Sequence, residues 1–172
     1  MKRFVCLAVA ALFFTAVPAA AQSIYFGVGP TFPMGDFGDA ANTGLMIAGG
    51  ATFEVAPQLS IYGEGFWGQN GGASDVVDID YNPSGLMGGL LYGFSAEDSA
   101  PVAPYVFGGA GLLTLSNGDA ENGFGFQGGA GLGFDLAGLE AFAEGRFTSG
   151  SINDVTISFA ALMVGLSFDF GT

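Results

Sequence analysis

The 172-residue chain contains no histidine, and Cys6 is its one cysteine. Ser–His and Cys–His nucleophile systems therefore cannot be assembled, and zinc loses its usual ligands. What the chain holds in quantity is carboxylate: 16 Asp and Glu against three Lys and Arg. Asp36, Asp39, Asp75, Asp78, Asp80, Asp119, Glu121 and Asp154 all fall in stretches rich in chain breakers. Clustered carboxylates offer oxygen ligands to Ca²⁺ or Mg²⁺. The run Asp75-x-x-Asp78-x-Asp80 lacks the complete spacing of a calcium loop, so a solvated acidic loop is the reading carried here. No catalytic residue, metal site or cofactor site follows from these residues, and the chain reads as a non-enzyme.

One basic residue, Arg146, stands far from the other two, Lys2 and Arg3. Around it Leu139, Ala141, Ala143, Gly145 and Phe147 share one face at a period of two, and Glu140, Phe142, Glu144, Arg146 and Thr148 share the other. In a membrane-spanning strand a lipid-facing Arg costs about 2–4 kcal/mol at the midplane, so the charged face should point inward. Glu64 has the same expected facing on an earlier strand. An enclosed Arg needs a carboxylate, because removing one partner of a buried pair costs about 3–5 kcal/mol. Arg146 is thus expected to pair with Glu64, Glu140 or Glu144 inside the structure and help to block it. A hydrated place at the rim is the alternative, since the breaker-rich stretch from Ser149 is close.

The elements that must position these residues are strands. Leu162, Val164, Leu166, Phe168 and Phe170 alternate with Met163, Gly165, Ser167 and Asp169. Eight such segments are expected, over 23–32, 44–55, 59–68, 84–94, 102–115, 123–136, 139–148 and 155–170. In the sixth, Phe124, Phe126, Gly128, Ala130, Leu132, Phe134 and Leu136 oppose Gly125, Gln127, Gly129, Gly131, Gly133 and Asp135. Pro57-Gln58 and Ala137-Gly138 make short turns, and longer links are expected at 33–43, 69–83, 116–122 and 149–154. In the last strand Val155, Ile157 and Phe159 have the opposite parity to Leu162 and Val164, which a bulge near Ala160-Ala161 or an end projecting above the membrane would explain. Glycine, at 31 residues, relieves crowding in a narrow lumen and permits sharp sheet curvature.

Lys2-Arg3, the apolar run Phe4–Val17, Pro18 and Ala19-Ala20-Ala21 read as a signal peptide over 1–21, followed by one domain over 22–172. The run is short for a spanning helix, which needs about 20 apolar residues. Beyond it a single basic residue remains, which excludes nucleic-acid binding. Half of the residues are hydrophobic and 11% are charged, against about 25–35% on a soluble surface. A chain too apolar for water and without a spanning helix leaves the closed barrel as the route through lipid. A soluble barrel would instead put its large apolar side chains inside, and the face of Gly, Ser, Thr, Gln and charges is too small to fill such a core. The fold class is all-β: an eight-stranded antiparallel up-and-down transmembrane β-barrel.

The stretches YFGVGPTFPMGDFGDAANTG, PYVFGGAGL, FGFQGGAGLGFDL and GLSFDF resemble the small outer-membrane β-barrel proteins of Gram-negative bacteria, the OmpA/OmpX type. The resemblance covers Ser23–Phe170, and the chain departs from it in carrying Gly171-Thr172 after its last aromatic. It implies a bacterial outer-membrane location, contact with outer-membrane lipids, passage through the membrane-insertion machinery, and a monomer. With nucleophile and zinc chemistry excluded, the expected role is structural, in envelope integrity. Binding or adhesion through the outer loops is the alternative. A narrow solute channel comes lower, because eight strands leave an interior only wide enough for side chains.

Overall fold

Alternation in the sequence becomes alternation in exposure. Leu162 and Val164 are 59% and 58% exposed, while Met163 between them is 1% exposed. In the computed structural model the described residues are 22–73, 80–94, 102–116, 118, 120–136, 139–153 and 155–170. The expected signal segment 1–21 lies outside them, as do Asp75, Asp78, Asp119, Asp154 and the expected turn at Ala137-Gly138. The strands are β1 (Gln22–Met34), β2 (Gly44–Ala56), β3 (Leu59–Gly71), β4 (Asp80–Gly93), β5 (Val102–Ser116), β6 (Ala120–Asp135), β7 (Glu140–Ile152) and β8 (Val155–Asp169). One five-residue helix, α1 (Asp36–Ala40), follows β1. Each strand pairs antiparallel with its sequence neighbour, and β1 pairs with β8, so the sheet closes into a barrel with no free edge.

The two ends of the barrel differ. One carries Ser23, Asp169 and the hairpin at Pro57-Gln58, where Gln58 adopts φ 68° and its carbonyl accepts from the Gly93 N–H at 2.9 Å. This is the turn end. The other, the helix end, carries α1 and the links after β3, β5 and β7.

The strands run further toward the helix end than the breaker residues suggest. β3 and β4 still pair at Gly71↔Asp80, β5 and β6 at Ser116↔Ala120, and β7 and β8 at Ile152↔Val155. Asp80 and Glu121 therefore sit on strand ends rather than in loops. Of the expected 149–154 link, 149–152 belong to β7 and Asn153 follows at φ 48°. Pro33 and Met34 extend β1 against Phe159 and Ser158 of β8, and Gly35, at φ 59°, then turns the chain into α1.

No bulge lies at Ala160-Ala161. The β7–β8 register runs unbroken from Glu140↔Ser167 to Ile152↔Val155, and the one shift in β2–β3 pairing lies between Glu54 and Ala56. Ile157 and Phe159 keep the parity of Met163 and point inward. The physical reason is that the lumen is not polar throughout. Toward the helix end Phe37, Met46, Phe66, Met87, Leu113, Ile152, Ile157, Phe159 and Met163 form a buried apolar core. The Phe159 ring lies edge-on to Phe37 and Phe66, with centroids 6.4 and 6.0 Å away. Asn70 fastens the chain after α1, donating to Thr31 Oγ1 at 2.8 Å and to the Asn42 carbonyl at 2.9 Å.

Inward and outward glycines are under different constraints. A Cβ on inward Gly29 would overlap the Leu162 carbonyl, and one on Gly165 would overlap the Phe26 carbonyl and the Phe142 ring. A Cβ on Gly63, on the outward parity of β3, meets nothing within 4 Å. Gly29→Ala is expected to destabilise the barrel by about 1–3 kcal/mol or more, because a backbone obstacle cannot rotate away. Gly63→Ala should stay within about 0.5 kcal/mol of the parent. Urea midpoints read from folded and unfolded gel bands check both.

Candidate functional site: a bridged lumen

Arg146 lies inside the barrel, 5% exposed, between two carboxylates. β3 and β7 stand four strands apart around the closed sheet of eight, so Glu64 reaches Arg146 from the opposite wall. Arg146 Nη1 donates to Glu64 Oε1 at 2.5 Å and Nη2 to Glu64 Oε2 at 2.9 Å, a bidentate pair. Arg146 Nε donates to Glu144 Oε1 at 2.9 Å, and Nη2 also reaches that oxygen. Glu144 and Arg146 are two apart on β7 and therefore share a face.

A shell of hydroxyl, amide and ring groups holds the carboxylates in place. Tyr25 donates its hydroxyl to Glu64 Oε2 at 3.0 Å, and Tyr105 donates to Glu144 Oε2 at 2.7 Å. Gln127 Nε2 donates to the Tyr62 hydroxyl at 3.1 Å and to Glu64 Oε1 at 3.3 Å. The guanidinium carbon lies 5.4 Å from the centre of the Phe107 ring. Every carboxylate oxygen of Glu64 and Glu144 accepts at least one hydrogen bond, as buried charges require. Sequence reasoning did not assign roles to Tyr25, Tyr62, Tyr105, Phe107 or Gln127. Their parity was the available signal: each lies on the same face of its strand as the lumen glycines and Glu64.

The structure brings Arg146, Glu64 and Glu144 together and leaves Glu140 out. Glu140 begins β7, six residues from Arg146, or about 20 Å along an extended strand. Phe142 comes between, packing edge-on against Tyr25 with centroids 6.1 Å apart. Glu140 stands instead at the rim of a cavity of about 470 Å³. That cavity is lined by Ser23, Thr52, Gly93 and Ser167 near the turn end and by Arg146, Glu64 and Glu144 at its inner limit. Beyond that layer the apolar core fills the barrel toward α1. Among the described residues no group of three or more His, Cys, Asp or Glu could hold a metal ion. Asp36 and Asp39 are exposed on α1, and Asp80 accepts from Gln69 Nε2 at 3.5 Å.

A closed antiparallel barrel with an apolar exterior and a filled interior defines a transmembrane β-barrel. Phe26, Leu86, Phe124 and Leu162 are among the large apolar side chains it turns outward. The family model for the outer membrane protein beta-barrel domain matches residues 6–170, and the chain belongs to that family. Among solved structures it is similar to Neisserial surface protein A, NspA, at 14% identity over 87% of this chain and 97% of that one, with a TM-score of 0.63. It is similar to a major outer membrane protein from Thermus thermophilus at 13% identity, covering 89% of this chain and 100% of that one, TM-score 0.58. It is also similar to Ail, the attachment invasion locus protein of Yersinia pestis, at 18% identity over 88% and 100%, TM-score 0.53. These likenesses concern the fold. No curated protein sequence matches the chain.

Proposed function

We propose that this protein is a non-enzymatic outer-membrane barrel with a structural role in the envelope, closed to solutes, and exported by cleavage after Ala21. The observation that carries the reading is the two-layer filling of the lumen. Arg146 spans from Glu144 to Glu64 across the barrel, and the apolar core around Phe159 occupies the space between that bridge and α1. The bridge is hydrogen-bonded throughout, and the core excludes water. In this reading the helix end faces outward and the turn end faces the periplasm, as short turns and longer outer links imply. Acidic side chains then crown the outer surface, with Asp36 and Asp39 on α1 exposed there.

Two measurements test the proposal. In planar bilayers the reconstituted barrel should give no discrete conductance steps, and a steady stepwise current would overturn closure. On intact cells, tags placed in α1 or at Asn153 should be reached by external label. Labelling at Pro57-Gln58 with α1 protected would reverse the orientation.

A further inference from the structure

The cavity between the bridge and the turn end is not explained by closure, for which the bridge and the apolar core suffice. Its volume of about 470 Å³ lies within the range of small-molecule sites. Rings of Tyr25, Tyr62, Tyr105, Phe107 and Phe142 form its walls. Its floor is charged unequally: Glu64 and Glu144 face a single guanidinium. Glu140 adds a carboxylate at the rim. No other Lys or Arg exists between Gln22 and Phe170 to balance these groups.

From this we infer that the cavity binds a singly charged organic ammonium carried on a compact apolar body, entering from the turn end. Three observations select that class. The excess carboxylate charge, set in a partly desolvated site, attracts cations and repels anions. The ring walls favour an ammonium with apolar substituents over a strongly hydrated ion. A metal ion is a poor occupant, because the floor oxygens already accept from Arg146, Gln127, Tyr25 and Tyr105, and those bonds fix the floor in place. The inference uses the proposed orientation only to say that the mouth opens to the periplasm. The binding test below reads no conductance and stands or fails separately.

Calorimetry on the full barrel in dodecyl maltoside tests it, a phosphocholine detergent being unsuitable because its own headgroup would compete. The probes are benzyltrimethylammonium, benzyl alcohol and benzenesulfonate, each corrected against empty micelles. The ammonium is expected to bind about tenfold more tightly than the alcohol, with the sulfonate weakest. Glu140→Gln, at the rim and outside the bridge, should weaken the ammonium several-fold and leave the alcohol unchanged. Ala103→Trp, which puts bulk into the cavity lining, should abolish binding while the heat-shifted gel band shows a folded barrel. If the ammonium binds no better than the alcohol, or if both variants leave its affinity intact, the inference fails.

Discussion

Arg146→Ala is expected to lower the unfolding free energy by about 3–5 kcal/mol, among the largest single-residue effects in this barrel. The substitution leaves Glu64 and Glu144, 4% and 9% exposed, as buried carboxylates without a counter-charge. It also removes four donated hydrogen bonds, which the Tyr25 and Tyr105 hydroxyls cannot replace since they are already committed. The loss comes mainly from stranding charge rather than from the net worth of the bridge. The triple variant Arg146→Met, Glu64→Gln, Glu144→Gln should therefore recover most of the stability, as replacement of a whole buried ionic group often does. Urea unfolding followed by the fluorescence of Trp67, the one tryptophan, measures both, and bilayer conductance shows whether the lumen opens. If Arg146→Ala changes neither the midpoint nor the conductance, the guanidinium is hydrated and the bridge does not close the barrel.

The pairing of Arg146 with Glu64 shows how far a sequence alone reaches. Period two fixes which residues share a face, and a charge that cannot face lipid must face inward. Those two statements select Glu64 without any knowledge of register. They also admit Glu140, because parity carries no depth: Glu140 and Glu144 share a face but differ in height along β7, and the height decides which one meets Arg146. The same limit produced the misplaced bulge at Ala160-Ala161. Ile157 and Phe159 look out of phase only if the inner face is taken as polar from end to end. Their phase is constant, and it is the lumen that changes from polar to apolar along its axis. The breaker residues misled for a related reason. Asn, Gly and Ser at 149–153 and 116–122 read as loop from composition. Cross-strand pairing keeps 149–152, Ser116 and 120–122 extended, and Ile152 packs inward with Ile157 and Phe159. α1 carried no periodic signal, since five residues are too few to show one.

The apolar layer has its own test, and lipid-facing residues supply the control. Phe159, 1% exposed, packs among Phe37, Phe66, Ile157 and Met163 inside the barrel wall. Phe159→Ala should cost about 3–5 kcal/mol, combining lost apolar burial with a cavity that the closed sheet cannot collapse to fill. Leu162→Ala, three residues along the same strand, removes a side chain that is 59% exposed on the outer face. Acyl chains or detergent can fill that outer gap, so no cavity term arises, and the cost should be roughly 1–2 kcal/mol less than for a buried Leu→Ala. Comparing the two variants by urea unfolding in the same micelles separates lumen packing from lipid-facing burial. Equal losses would mean that the space around Phe159 is already loose or wet, and the layer beneath α1 would then not be a water-excluding core. A loss at Phe159 well above that at Leu162, with conductance still absent, would mean that the Arg146 bridge alone keeps the lumen closed. Should conductance appear with the loss, the apolar layer is a second barrier that the bridge cannot replace.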